Sequence, residues 1–267
     1  MKKSSTGVFD SIFGDSLDYL EIPKWVKESI SRKIWRDKKL TLVSAVCPDY
    51  ERQNGHFTYR SMGCGLPFTA SRHLLIVQAI AKSLAAHDIQ FEYHVTLADT
   101  EFDLPLVVKH FAQDNVELFF SRCEQSVIAI ADEAYRLDIP LHSCARFTTA
   151  FSNWCTLYEQ GLEIMRREVE QDRSTRSDLE AKAMTRMPLY QAMAGYSVNN
   201  ANYCREMVIR QWAQYMAWGY CAEETFGNSV VMMNHTTPNL SKVNHPLFRK
   251  GRERIPILQL PITTMPE

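Results

Sequence analysis

The sequence predicts an α/β protein of the Rossmann-like, doubly wound type, with a mostly parallel sheet and an extended helical half. Three observations predict this class. Between residues 23 and 147, short β-branched apolar runs alternate with segments of helical periodicity about 10 to 15 residues long. Residues 148–220 are almost entirely helical in pattern, and strand composition returns at 228–260. We expect a single domain spanning residues 1–267.

The first strand and the helix after it form the unit around which this domain is organised. Thr41–Val46 has the composition of a buried strand, and residues 69–86 repeat apolar side chains at helical spacing. The segment between them, 47–68, has no periodicity and holds three glycines and two prolines, which predicts a long loop. Because open α/β sheets bind ligands outside the carboxyl ends of their strands, this loop is a candidate site.

The other elements follow from the same patterns. The first 22 residues are expected to form a loose arm, and a helix is expected to begin after Pro23. The last strand is expected at an edge of the sheet because Pro256 and Pro261 bracket it. Further strands are predicted at 89–97, 116–120, 139–142, 228–233 and 255–260, with helices at 104–113 and 124–137.

Composition narrows the class of protein. The chain has 267 residues, 45% of them hydrophobic, and a net charge of −1, so only a local basic patch could bind nucleic acid. Seven scattered cysteines without a C-x-x-C pair indicate reduced thiols, and the N-terminus lacks the apolar stretch of a signal peptide. No apolar run approaches the ~18 residues of a membrane span, so we expect a cytoplasmic protein. Basic residues gather in 24–39, as a solvated helix face or a phosphate-contacting patch.

Reactive and polar side chains gather in the loop after the first strand, beginning with Cys47. Loops longer than about 12 to 15 residues are usually functional or disordered, and its glycines allow a ligand to approach the backbone closely. The helix that follows offers free N–H groups to an anion. The alternative is a covering loop that only packs. The substrate-binding candidates here are Asp49, Tyr50, Gly63, Gly65 and Arg72.

Two further polar clusters follow later strands. Asp99 and Glu101 end the second strand, where a carboxylate binds a ribose hydroxyl or an ammonium group, or caps the next helix. His235 lies in the loop that leaves the late strand, close to the predicted strand end, and is a candidate general acid or base. The residues around it that are candidates for substrate binding are Asn234, Thr236 and Asn239.

Several site classes are not supported by the motifs. The chain has no G-x-x-x-x-G-K-[ST] loop, no G-x-G-x-x-G fingerprint and no G-x-S-x-G elbow. The nine-residue gaps that separate Cys47 from His56 and Cys64 from His73 match no zinc pattern. We therefore predict no metal site and no cofactor.

Three short motifs carry a family resemblance. Ser44 lies in LVSAVCPDY, Tyr220 and Glu224 stand as Y-x-x-x-E, and His235 follows Asn234 in NHTTP. In these motifs the chain resembles the cyclodipeptide synthases, which are similar in fold to the catalytic domain of class I aminoacyl-tRNA synthetases. The resemblance implies that an aminoacyl group passes from tRNA to Ser44 and that Glu224 or His235 removes a proton.

The same motifs depart from the family pattern. Leu42 stands where the family has Gly, Cys47 where it has Asn, and Asn234 where it prefers Tyr. The basic helix that holds tRNA in many members is not evident after the second strand. If Ser44 is buried within its strand, Cys47 is the better candidate for the nucleophile.

Four functional hypotheses remain open. The first is a transferase for an amino-acid-derived substrate that forms a peptide bond from aminoacyl-tRNA and holds tRNA through a local basic patch. The second is an enzyme of small-molecule biosynthesis similar to the isonitrile synthases. The third is a non-catalytic module that binds a small molecule or nucleotide. The fourth is an ATP-dependent nucleotidyltransferase with Arg72 and His73 beside a helix terminus.

Overall fold

The fold is a five-stranded parallel sheet with helices on both faces, which confirms the predicted Rossmann-like α/β class. None of the described helices is long and apolar enough to cross a lipid bilayer. The computed structural model describes residues 7–17, 20–46, 51–53, 56–58, 65–99, 108–109, 112–194, 201–227, 230–235, 242–248 and 252–260.

The described residues form seven strands and eight helices. The main sheet contains β1 (Lys39–Val46), β4 (Gln90–Leu97), β5 (Leu141–Arg146), β6 (Val230–His235) and β7 (Ile257–Leu260), while β2 (Glu51–Gln53) and β3 (His56–Thr58) form a separate antiparallel pair. The helices are α1 (Gly7–Leu17), α2 (Lys24–Asp37), α3 (Phe68–Ala85), α4 (Val116–Arg136), α5 (Phe147–Ala150), α6 (Trp154–Gln171), α7 (Arg173–Ala194) and α8 (Ala201–Phe226).

The order of the strands locates a crevice. The sheet runs β5-β4-β1-β6-β7, so the chain moves outward from β1 through β4 to β5 and then returns to the other side of β1. This reversal makes the gap outside the carboxyl ends of β1 and β6 a topological switch point, where open α/β sheets bind their ligands. Val46 and His235 are the last residues of these two strands.

The two faces of the sheet pack against different helices. Successive side chains of a strand point to opposite faces. Leu42 and Val46 of β1 belong to the core formed with α1, α2, α3 and α4. Val43 and Ala45 instead pack with α8, through Ala217 and neighbouring residues. We call these the α3 face and the α8 face of the sheet.

Two predicted elements were wrong because tertiary packing overrode local pattern. The expected N-terminal arm contains α1, whose Phe9 and Phe13 are 2% and 1% exposed in the core. The expected strand at 116–120 is the first turn of α4, which Asn115 caps by accepting a hydrogen bond from the Leu118 N–H at 2.9 Å. The fourth predicted strand is shifted, since β5 begins at Leu141 and runs on beyond residue 142. Most of the helix expected at 104–113 lies outside the described residues.

His94 makes the stability of the fold depend on pH. Its half-buried ring lies 4.1 Å from the Phe226 ring, and desolvation lowers its pKa to about 4. The unfolded chain takes up this proton near pH 6.5 and the folded chain resists it, so stability present above that pH is lost as pH falls toward 4. We expect a loss of up to about 3 kcal/mol, measured by urea unfolding at pH 7.5 and 4.5. His94→Gln should remove most of this dependence, and the exposed His87→Gln should retain it.

Candidate active site

Helix α8 runs antiparallel to the strands, so its first turns are nearer to their carboxyl ends than its last turns are. The Phe226 ring stacks on His94, whereas Trp218 Nε1 donates to Thr96 Oγ1 at 3.2 Å, further along β4. Closer to the helix start, the Tyr215 hydroxyl accepts a hydrogen bond at 3.2 Å from the Nδ2 of Asn234 near the end of β6. The residues that precede Tyr215 on this face therefore lie toward the carboxyl-end edge of the sheet.

Two glutamines lie on this face at and beyond the turn of Tyr215. Gln211 and Gln214 share the sheet-facing side of α8 with Tyr215 and Trp218, because residues three or four apart lie on one face of a helix. Both side chains are buried, at 5% and 6% exposure. Among the described residues, the Gln214 Nε2 has no hydrogen-bond partner. A buried donor of this kind costs about 1–3 kcal/mol, so a ligand or water that accepts its hydrogen bond is favoured there.

The sequence analysis did not select these glutamines. The signal that could have found them is their position, because the same face of α8 is otherwise formed by apolar side chains such as Met207, Trp218 and Ala222. Two amides in such a stripe are polar residues at core positions, and departures of this kind are expected at functional or strained sites.

Ser44 does not face this crevice. It is fully buried in β1, and its Oγ accepts a hydrogen bond at 3.0 Å from the Tyr93 hydroxyl. Its neighbours on the same side of the strand, Leu42 and Val46, belong to the α3 face, so the hydroxyl of Ser44 points away from α8. Desolvation by burial raises the pKa of Tyr93, so both hydroxyls stay neutral and form a structural pair.

Tyr220 and Glu224 lie away from Ser44 and from the switch point. They stand on the side of α8 opposite Trp218, where Arg252 Nη2 donates to the Tyr220 hydroxyl at 3.1 Å and to Glu224 Oε1 at 3.5 Å. The hydrogen bond to Glu224 raises the pKa of Tyr220. Ser44, Tyr220 and Glu224 carry the family resemblance, but they do not converge, because the sheet separates the first from the other two.

Glu224 instead borders a cleft of about 500 Å³ beside the last turns of α8. Only three residues separate α8 from the start of β6, so this cleft lies toward the amino ends of the strands. Burial raises the pKa of Cys221 in its wall to about 12, which keeps that thiol protonated at neutral pH. The residues that line the cleft are Phe151, Ser152, Asn153, Cys221, Glu224 and Thr225.

Asp99 lies at the carboxyl end of β4, as expected, and its carboxylate is already occupied by protein groups. The backbone N–H of Thr148 donates to Oδ1 at 3.2 Å, and the Thr148 hydroxyl and Arg146 Nη1 donate to Oδ2. The side chain is fully buried, and desolvation raises its pKa. These contacts tie the end of β4 to α5, which is the work of a structural carboxylate.

The remaining predicted site residues divide into two groups. Arg72 stands in the first turns of α3, Gly65 lies just before that helix, and the backbone of His235 pairs with Leu260 of β7. The others lie outside the described residues: Cys47, Asp49, Tyr50, Gly63, Glu101, Thr236 and Asn239.

Comparison with known proteins gives a match in structure alone. No protein-family model and no curated protein matches the chain. A CDPS (cyclodipeptide synthase) from Fluoribacter dumoffii matches 90% of this chain and 94% of its own, with 11% identity and a TM-score of 0.53. A CDPS from Staphylococcus haemolyticus matches over 84% and 88%, with 12% identity and a TM-score of 0.45. The Fluoribacter match shows a shared fold and confirms the distant resemblance predicted from the motifs.

Proposed function

We propose that this chain is a transferase that takes aminoacyl groups from tRNA and joins them through a peptide bond. The observation that carries the proposal is the fold shared with the Fluoribacter CDPS across 90% of this chain. The buried amides of Gln214 and Asn234 near the switch point supply hydrogen-bonding groups suited to an aminoacyl ester.

Cys47 is the nucleophile in this proposal. Ser44 is buried on the α3 face, whereas Cys47 is the first residue after Val46, the last residue of β1. The thiol sulfur attacks the ester carbonyl of aminoacyl-tRNA, a C–S bond forms, and the bond to the terminal ribose oxygen breaks. A general base takes the thiol proton and returns it to that departing oxygen.

The thioester then reacts with a second aminoacyl-tRNA. Its amine attacks the thioester carbonyl, which forms the peptide bond and regenerates the Cys47 thiol. The free amine of the resulting dipeptidyl-tRNA attacks its own ester, and a cyclic dipeptide and tRNA are released. In each step negative charge develops on a carbonyl oxygen, and Gln214 Nε2 donates a hydrogen bond to that oxygen.

The test is direct transfer from charged tRNA. The full chain is incubated with total tRNA carrying one labelled amino acid at a time, and the products are identified by mass spectrometry. The proposal expects labelled cyclic dipeptides from at least one amino acid. If no label leaves any of the twenty charged forms, the proposal is wrong.

Replacing Gln214 should separate activity from stability. Gln214→Met removes the unpartnered donor and keeps the side-chain volume, so we expect the free energy of unfolding to stay equal or rise. Loss of one oxyanion donor should lower kcat by about 10²–10³. Single-turnover transfer and thermal unfolding are measured on the same samples.

The matched control for this experiment is Gln160→Met, which alters an exposed glutamine on α6 and should leave both readouts unchanged. An unchanged kcat in the Gln214→Met variant would show that Gln214 takes no part in the reaction. A large loss of stability in that variant would instead mean that the amide is part of the packing.

A second candidate function is favoured by the cleft beside Glu224. Its volume of about 500 Å³ lies within the range of small-molecule pockets, which suits a binding module without catalysis. Under this alternative, ATP or another nucleotide in a thermal-shift panel stabilises the protein. That stabilisation would persist in Cys47→Ala and disappear in Glu224→Gln. The transferase proposal expects the opposite dependence, because its activity needs Cys47 and not Glu224.

A further inference from the structure

Helix α2 and the two residues after it concentrate positive charge. Between Lys24 and Lys39 the chain has seven Lys or Arg and two Asp or Glu, a net charge of +5, although the whole chain has a net charge of −1. A local excess of this size attracts polyanions even when the protein as a whole is nearly neutral.

The helix has two distinct faces. Val26, Ile30 and Ile34 are 1%, 1% and 2% exposed and pack into the core. On the other side, Trp25, Arg32, Trp35 and Arg36 are exposed and fall on one face, because they are spaced by 7, 3 and 1 residues. We call these four residues the outward face of α2.

The two tryptophans on this face are unusual. Tryptophan is highly buried on average, yet Trp35 is 73% exposed and Trp25 is 37% exposed. Their positions are ten residues apart, which corresponds to about 15 Å along a helix. The Arg254 guanidinium lies 4.7 Å above the Trp25 ring and adds a further cation to the face.

The arginines differ in how they are held. Arg36 forms two hydrogen bonds with Asp37, at 2.8 and 2.9 Å. Arg32 is exposed and forms no ion pair with any residue in the described part of the chain. It is therefore available to a phosphate group beside Trp35, three residues further along the helix.

We propose that the outward face of α2 binds unpaired nucleotides of RNA, with Trp35 stacking on a base and Arg32 contacting the backbone phosphate. Alternating cations and aromatic rings are the chemistry with which proteins hold single strands, because every base has a flat face and every linkage a charge. A lipid surface fits less well. The apolar side of α2 is already buried in the core, which leaves only two rings to enter a bilayer.

This inference rests on the chemistry of the surface and is independent of the proposed transfer reaction. Anisotropy titrations would compare a fluorescein-labelled 12-nucleotide single-stranded RNA with a 12-base-pair RNA duplex, using the full chain. We expect Trp35→Ala to weaken single-strand binding by about fivefold or more and duplex binding far less. Arg32→Glu should weaken both and should lower the salt slope for the single strand by about 0.7 or more.

Two exposed positions on other helices provide matched controls. Tyr135→Ala removes an aromatic side chain that is 88% exposed on α4, and Arg173→Glu reverses a charge on α7. Both should bind the single strand as the unaltered chain does.

Wild-type affinity in Trp35→Ala, or equal losses in the control variants, would overturn the proposal. So would Trp35-dependent binding to phosphatidylserine vesicles without binding to the oligonucleotide. If the chain binds RNA through Trp35 but releases no amino acid from charged tRNA, the transfer reaction is refuted. RNA binding by the outward face of α2 is then still supported.

Discussion

Cys47→Ala will reduce cyclic dipeptide formation by about a thousandfold or more, whereas Ser44→Ala will retain most of it. Removing the proposed covalent nucleophile would eliminate the thioester route, which accounts for the size of the first effect. Ser44 holds the Tyr93 hydroxyl on the other side of the sheet, so its loss leaves a buried donor unpaired. Ser44→Ala should therefore lower the free energy of unfolding by about 1–3 kcal/mol while the chemistry proceeds.

The measurements are single-turnover transfer and intact-protein mass spectrometry after rapid acid quenching. A mass increase of one aminoacyl group should appear in the unaltered chain and in Ser44→Ala, and should be absent from Cys47→Ala. Cys221→Ala is the thiol control, because Cys221 is buried and its raised pKa keeps it protonated. An adduct on Ser44, or full activity in Cys47→Ala, would contradict the assignment.

The second large effect is expected from Asp99→Ala, which should destabilise the fold by about 3 kcal/mol. The substitution leaves the Thr148 N–H and hydroxyl without their acceptor and removes one of the two carboxylates that pair with Arg146. Each buried donor that loses its acceptor costs about 1–3 kcal/mol, which explains the magnitude, since Arg146 keeps Glu124 as a partner. Urea unfolding at neutral pH measures the change.

Two further variants show which contact of Asp99 causes the loss of stability in Asp99→Ala. Asp99→Asn keeps one acceptor for the Thr148 N–H and should recover part of the stability. Glu124→Gln weakens the exposed partner of Arg146 and should have little effect. If Asp99→Ala unfolds like the unaltered chain but raises KM for charged tRNA, the carboxylate binds substrate as the sequence analysis proposed.

Local pattern was sufficient for the main elements of the fold. The β-branched run that became β1 and the apolar repeat that became α3 both formed nearly where predicted, because composition and period report burial directly. Pattern was not sufficient at residues 116–120, where the same apolar residues satisfy either a strand or the first turn of α4. Only the Asn115 cap and the packing of Phe119 in the core decide for the helix.

In the candidate site, too, some features were predictable from the sequence and others depended on the packed structure. Because the main sheet is parallel, β1, β4 and β6 all end at the same edge of the sheet, directly before the polar segments that the sequence analysis selected. Sequence reasoning took Ser44, Tyr220 and Glu224 from short motifs, and it had no means of knowing which way each side chain points. It also passed over Gln214, whose lack of a partner among the described residues becomes visible only in the packed helix.

The amino-acid sequence by itself determined the Rossmann-like class and the distant family likeness, because these depend on local period, composition and element order. The tertiary structure alone decided which face of its strand or helix each side chain occupies. The register of β1 turns Ser44 to the α3 face, and the packing of Trp218 against Thr96 turns Tyr220 outward and Gln214 inward. Such orientations depend on contacts between segments far apart in the chain, which no local pattern records.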